Sequence, residues 1–358
     1  MINKDARRLK VGVLGCGQIA QAAHFESCVK AKNADLYAIC DVAADLREHM
    51  AAIHRPTRTY SDYEAMLADS SVEAVIVATS DVFHVPASIA ALKAGKHVLC
   101  EKPLGVAVEE VEELRSVVAA TGRFLQVGHM KRFDAGLEAA KHFVDTELGE
   151  MLALKAWYCD STHRYDVTDA VQPAIVRSTL SRTPPTSPKS DLTRYGMLAH
   201  GSHLVDTARY LGGPIVEVEA RYLERYGARC WFVDVAFESG ALGHLDLTIQ
   251  VRMDWHEGFQ LYGQHGSVLA KTYNPWLFKS SEVDIFRESD GATTRVLGAD
   301  GHFFRRQLEA FAASILDGAP RRGADIDDGV ASVRAMAAIA ESVRKRRAVR
   351  LDEVCGSL

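Results

Sequence analysis

The residues Gly15-Cys16-Gly17-Gln18-Ile19-Ala20 follow an apolar run, Lys10–Leu14, and match the pattern G-x-G-x-x-[GA]. The chemistry this pattern serves is dinucleotide binding. Its first glycine permits a tight turn, its second lets backbone approach a pyrophosphate, and its small last residue lets the next helix pack on the strand. The N-terminus of that helix adds amides and a positive dipole end. Gly15, Gly17, Gln18 and Ile19 are therefore cofactor-binding candidates. Leu36-Tyr-Ala-Ile-Cys-Asp41 ends in an acid about 20 residues further on, where a carboxylate can take both hydroxyls of an adenosine ribose. Asp41 alone could be an ordinary helix N-cap; its combination with the glycine turn points to a nucleotide. An acid there repels a 2′-phosphate, and Val42–Ala43 supply no arginine to hold one. NAD is expected ahead of NADP.

Thr79-Ser80-Asp81 ends the apolar run Val72–Ala78, at the carboxyl edge where ligands bind in doubly wound sheets. Thr79 is a cofactor candidate on that ground. His84 opens the next helix and reads equally as a cofactor contact or as helix-start packing. Cys100-Glu101-Lys102-Pro103 ends another strand, His97–Cys100. Pro103 fixes its own φ and pushes Lys102 towards an extended backbone, which gives the ammonium group a direction. A lysine made less basic by burial and a nearby positive nicotinamide could accept a hydroxyl proton as hydride leaves the carbon. Taken alone, Lys102 reads as a surface lysine. His200-x-x-His203 could suggest a metal, but no third ligand stands at a characteristic spacing, and none is expected.

These residues need a scaffold of strand ends. Strands are predicted at Lys10–Leu14, Leu36–Cys40, Val72–Ala78, His97–Cys100 and Phe124–Val127, with helices at Ile19–Lys32, Ala43–Ile53, His84–Ala94 and Val108–Ala120 between them. Uninterrupted apolar strands alternating with helices imply a parallel sheet covered on both faces. Beyond residue 130 the pattern changes. A helix at Asp134–Thr146 and a strand at Met151–Tyr158 lead into residues 160–195, rich in Thr, Ser, Pro and Arg, including Pro184, Pro185 and Pro188. So long a loop is usually functional or disordered. A helix at Leu198–Leu211 stops at Gly212-Gly213-Pro214, and alternating segments such as RCWFVDVAFE and ALGHLDLTIQV then predict an antiparallel sheet. Helices at Phe304–Leu316 and Asp327–Arg344 close the chain. The expected class is α/β: an N-terminal Rossmann domain over residues 1–127 and a C-terminal α+β domain over 128–358 with a large, mostly antiparallel open sheet.

The 358 residues carry a net charge of −5, which argues against a general nucleic-acid binder. Arg344–Arg347 reads as a solvated helix end complementing the dipole. No stretch of about 18 uncharged apolar residues occurs, and scattered cysteines without a CxxC pair suit a reducing compartment. A cytoplasmic protein with no membrane partner is expected.

At this point the chain resembles the glucose–fructose oxidoreductase/inositol dehydrogenase (Gfo/Idh/MocA) family. The resemblance spans nearly the whole chain and rests on Gly15–Ala20, Thr79 with His84, Ala94-Gly-Lys-His-Val-Leu-Cys-Glu-Lys-Pro103 and Gly128-His-Met-Lys-Arg132-Phe133, which is similar to the family's domain-crossing motif. It implies a catalytic role for Lys102, with Glu101 beside it at the cofactor. It also implies a D-x-x-x-H signature in a substrate-domain helix. Here Gly201, His203 and Asp206 fall in register, but Ala199 replaces the first aspartate. His203 can still donate to or accept from a reacting hydroxyl, since a neutral imidazole does both. Either His200, Asp191 or Tyr195 nearby replaces the carboxylate, or the substrate needs no such contact. Asp206 is read as a structural partner of the helix.

The reaction implied is oxidation of a secondary hydroxyl on a sugar, glycoside or cyclitol, with Lys102 and His203 as acid–base and orienting groups and Lys102, His200, His203, Arg132 and Tyr195 at the substrate. Relatives that hydrolyse glycosides through transient oxidation, and others that bind cofactor as regulatory sensors, are the alternatives. Arg164, Arg177, Arg182, Lys189 and Arg194 of the long loop could grip an acidic substrate or be surface groups. Trp255–His256 could line the pocket or pack at a strand end. The open sheet offers a face for self-association, and a homo-oligomer is expected.

Overall fold

The computed structural model describes residues 7–163, 170–181, 190–298 and 300–356. Arg164, Arg182, Pro184, Pro185, Pro188 and Lys189 lie outside them. Two sheets organise the chain. The first has six parallel strands in the order β3-β2-β1-β4-β5-β6. They are β1 (Leu9–Leu14), β2 (Ala34–Cys40), β3 (Arg58–Tyr60), β4 (Ala74–Val77), β5 (His97–Cys100) and β6 (Leu125–Val127). All four side chains of β4, Ala-Val-Ile-Val, are buried, as a central parallel strand covered on both faces requires. The order reverses at β1, which pairs with β2 on one side and β4 on the other. Right-handed crossovers make that reversal the point where strand ends part into a crevice.

Around this sheet lie α1 (Phe25–Lys30, entered through a π-turn at Ala20–His24), α2 (Ala44–His54), α3 (Tyr63–Ala68), α4 (His84–Lys93) and α5 (Val108–Thr121). β3 and α3 are absent from the sequence reading. The Arg-Thr-Tyr of β3 is largely exposed at a sheet edge and too short to show any periodicity. The remaining predicted strands and helices of this half appear within a few residues of their expected ends.

Among the described residues the second sheet has nine strands, in the order β14 (Thr293–Arg295), β13 (Glu282–Arg287), β12 (Gly266–Thr272), β11, β7, β10, β9 (Ala228–Phe237), β8 (Ile215–Arg225) and β15 (Val349–Arg350). β7 (Met151–Ser161) lies at its centre and runs parallel to β10 (Leu242–Val251) and antiparallel to β11 (His256–Gly263). Among the pairings of the described residues, β7 with β10 is the parallel exception. One face packs under α6 (Ala135–Thr146), α8 (Ser202–Gly212) and α10 (Ile326–Lys345). A short helix, α7 (Leu192–Gly196), runs through a π-turn at Met197–Gly201 directly into α8, so the predicted Leu198 start is the middle of a longer helical run.

The two halves interlock late in the chain. Leu308, Phe311 and Ala312 of α9 (Phe303–Leu316) join Val11, Val13, Ile39 and Ile76 of the first sheet in one apolar cluster. Phe311 stacks on Phe124 with ring centroids 5.3 Å apart. Among the described residues no helix is long and apolar enough to cross a membrane.

Candidate active site

At the reversal of the first sheet, β1 gives way to the glycine turn. Gly15 has φ +96°, and a Cβ there would stand 2.7 Å from the Ala78 carbonyl oxygen at the end of β4. Only glycine combines that backbone with so close an approach. Gly17 differs: a Cβ added to it meets nothing within 4 Å. Its missing side chain leaves room in the cleft, not in the protein, and this is the space a pyrophosphate needs beside a helix N-terminus. The helix begins with a π-turn, a distortion frequent at functional sites.

Asp41 ends β2 at the same edge. Its Oδ2 accepts the Cys16 N–H at 2.7 Å and its Oδ1 the Ala43 N–H at 2.8 Å. The carboxylate is thereby fixed at the mouth of the turn, and it is not the cap of α2, whose N-cap residue is Ala43. Arg47 turns its Nη1 to the Asp41 carbonyl oxygen at 2.6 Å.

A cleft of about 640 Å³ runs from here along the carboxyl edge. Gly15, Gly17, Gln18, Ile19, Asp41, Thr79, His84, Glu101 and Lys102 all line it, joined by Tyr195 and Ala199 from the second half of the chain. The turn, Asp41 and the strand-end lysine thus share one cavity, and its residues suit a dinucleotide.

His84 braces the edge. Its Nδ1 lies 2.7 Å from the Pro103 carbonyl oxygen and its Nε2 3.2 Å from that of Thr79. The Lys102–Pro103 peptide is cis. Glu101 is buried, with Oε1 2.9 Å from His24 Nε2 and Oε2 accepting the Lys102 N–H at 3.1 Å. Burial opposes its ionisation, but the His24 hydrogen bond and charge, with Lys102 and His84, hold the carboxyl below its ordinary range. Lys102 Nζ donates to the Ala199 carbonyl oxygen at 3.0 Å.

Residues 9–129 match the family described as "Oxidoreductase family, NAD-binding Rossmann fold" (GFO_IDH_MocA), and residues 137–269 match the GFO/IDH/MocA C-terminal domain. The chain belongs to the Gfo/Idh/MocA oxidoreductase family. It is 27% identical over 369 residues to a myo-inositol 2-dehydrogenase of Thermotoga maritima, covering 97% of this chain and 100% of that protein. It is 29% identical to inositol 2-dehydrogenase 2 of Saccharopolyspora erythraea, over 93% of this chain and 91% of that one. A solved structure of a probable dehydrogenase from Thermotoga maritima superimposes with a TM-score of 0.77 at 25% identity, over 97% and 100% of the two chains.

In this Gfo/Idh/MocA chain the helical run α7–α8 faces the cleft with Tyr195 and, one turn on, Ala199. Of the three residues expected to stand in for the missing aspartate, Tyr195 alone lines the cavity. Asp191 caps α7, accepting the N–H groups of Thr193 and Arg194. His200 is buried, its Nδ1 3.3 Å from the Tyr158 hydroxyl and its Nε2 3.5 Å from Asp160. His203 is 8% exposed, and its ring lies parallel to that of Tyr158 at 6.1 Å. Burial first, then the positive charges of Lys102, Lys131, His129 and His200, hold its imidazole well below the ordinary value of 6.5. The charge of Lys102 reaches it, but His203 is not among the residues that line the cleft.

Arg132 points elsewhere. Its guanidinium holds Asp206 through two nitrogens at 2.8 and 3.1 Å and Asp328 at 2.7 Å, all within the protein. It stitches the chain after β6 to α8 and α10, and Asp206 is its buried partner. Arg194 reaches the Val106 carbonyl oxygen at 3.2 Å. Trp255 packs edge-on against Tyr158 at 4.9 Å, whereas His256 stacks on Trp157 at 5.6 Å.

The sequence reading missed two buried groups behind the site. His24 is the partner of Glu101, and Lys131 is ion-paired with Glu257 while lying 4.6 Å over the Tyr158 ring. Glu257 could have been found: the alternation of β11 turns it inward, where an acid needs a partner. His24 gave no signal beyond standing in an apolar helix. Among the described residues no three metal-binding side chains cluster.

Proposed function

We propose that the chain oxidises, reversibly, a secondary hydroxyl on a cyclitol, sugar or glycoside ring with NAD as cofactor. The observation that carries this reading is the single cleft shared by the glycine turn, Asp41 and Lys102. The two inositol dehydrogenases similar along nearly the full chain support a cyclitol first. NAD, when bound, supplies the hydride acceptor. Gly15 and Gly17 admit its pyrophosphate, Asp41 takes the ribose hydroxyls, and Thr79, His84 and Glu101 shape the far end. Lys102 Nζ takes the hydroxyl proton, its direction set by the Ala199 carbonyl. His203, kept neutral, orients the substrate oxygen through one ring nitrogen. Tyr195 provides the polar contact on the wall where Ala199 has none. Holding both reactants at near-contact distance supplies much of the rate.

NAD is preferred over NADP because the fixed Asp41 carboxylate repels a 2′-phosphate, and Arg47 is committed to the Asp41 backbone. Residues 1–127 would carry the cofactor and 128–358 the substrate. Self-association would use the outer face of the nine-stranded sheet, where Phe232, Leu242, Leu269 and Phe286 are exposed. Sizing at micromolar concentration would then show more than a monomer.

The test is a screen of cyclitols, aldoses and glycosides followed by NADH absorbance, with NADP in parallel. Cyclitol-dependent NADH formation is expected. Free sugar released without net NADH would place the chain among the hydrolases, and NAD binding with no turnover among the sensors.

A further inference from the structure

Residues 173–181 cross from the second half of the chain to the cofactor end of the first, and one buried side chain anchors them. Gln21, 3% exposed, donates from Nε2 to the Cys16 carbonyl oxygen at 2.7 Å and to the Val176 carbonyl oxygen at 3.0 Å, while its Oε1 accepts the Val176 N–H at 2.9 Å. Both donors of the carboxamide and one acceptor lone pair are in use, so the site reads out an amide and nothing else. Cys16 stands between the two glycines of the turn, and its own N–H goes to Asp41 Oδ2 at 2.7 Å. A continuous hydrogen-bonded path therefore joins Val176 to the ribose acid. A second tie falls two residues on, where Ser178 Oγ donates to Asp45 Oδ1 at 2.7 Å in the first turn of α2. Val176 packs against the apolar cluster behind the turn, and Ser181 lines the cleft itself.

We propose that residues 173–181 are a strap that retains the dinucleotide, with Gln21 as its latch and as the positioning residue for the phosphate turn. The strap crosses beside the two features that grip the pyrophosphate and adenosine ribose, so the cofactor leaves only when the Gln21–Val176 pair opens. This rests on the dinucleotide occupying the cleft described above. Its consequence is kinetic. NADH dissociates slowly while the latch is closed.

The experiment is stopped-flow displacement of NADH from the full-length protein. Val176→Pro removes the strap's N–H without touching the glycine turn, and Gln21→Glu replaces the NH2 group, and with it both donors, by one oxygen facing two carbonyls. Each variant should release NADH about tenfold faster, the effect of losing roughly one well-made hydrogen bond. KM for NAD should rise in both variants, and in Val176→Pro kcat should not fall. The double variant should release NADH no faster than either single one, because both open the same latch. Unchanged release from Val176→Pro, or effects that multiply in the double variant, would overturn the strap. If the unaltered protein binds no NADH, the cleft reading itself fails; if it binds and the variants behave normally, the strap alone does.

Discussion

The side chain of Lys102, at the end of a first-sheet strand, donates to the backbone carbonyl of Ala199, on the helix that roofs the second sheet. A backbone acceptor is indifferent to the residue type at 199, so the lysine keeps its direction although the family aspartate is gone. The proton-accepting role proposed for it can therefore be tested without disturbing the cofactor end of the cleft. Lys102→Ala is expected to bind NAD with near-normal affinity and to turn over about a hundredfold more slowly or worse. Calorimetry and initial rates on the same preparation check this, and near-normal turnover would take Lys102 out of the chemistry.

The two glycines of the turn make opposite predictions. At Gly15 a methyl group collides with the Ala78 carbonyl and the backbone has φ +96°. Gly15→Ala should cost about 1–3 kcal/mol of stability from the backbone alone, with the collision added. At Gly17 a methyl group meets no protein atom. Gly17→Ala should melt close to the unaltered protein yet bind NAD at least about tenfold more weakly, since a methyl group displaces one close phosphate contact. Thermal melts with and without NAD separate the two outcomes.

That contrast also shows what the sequence made legible. The turn, Asp41, Thr79, His84 and Lys102 lie at strand ends, and strand ends in an alternating parallel pattern can be placed from local periodicity. They converge because the sheet order forces their ends together. The substrate side was harder. His200 and His203 stand three residues apart on a helical run that carries a π-turn, and their surroundings depend on Tyr158 and Asp160 of β7. No spacing rule places Tyr158, Lys131 or Glu257 around them. The packing of α9 on the first sheet is likewise a long-range choice, invisible to a reading that divides the chain once at residue 127.

Arg132 tests that limit directly. Its side chain is buried and shared between Asp206 and Asp328, and the attraction of these carboxylates outweighs burial in keeping it charged. Arg132→Ala would leave Asp206 buried without its partner, which typically costs about 3–5 kcal/mol. Denaturant unfolding should show that loss. A substrate-gripping arginine would instead raise KM with stability unchanged, and that result would return Arg132 to the site.

The neutral state of His203 gives a pH dependence with a definite sign. Burial and four basic neighbours depress its folded-state pKa well below 6.5, while the unfolded chain binds a proton near 6.5. Below that value the unfolded state holds more protons than the folded one, so stability falls as pH falls. His129, also depressed by burial, acts in the same direction. Glu257 acts oppositely, since burial raises its pKa above 4.5 and favours the folded state on acidification, but its window begins at 4.5 and rises from there. His54, His97 and His302, also lowered first by burial, add to the same slope between pH 7 and 5.5. The melting temperature is expected to drop across this range, and His203→Gln, which cannot take up the proton, should drop less steeply. Parallel slopes for the two proteins would mean that His203 accepts its proton in the folded state, and a charged ring there could no longer accept a hydrogen bond from the substrate hydroxyl.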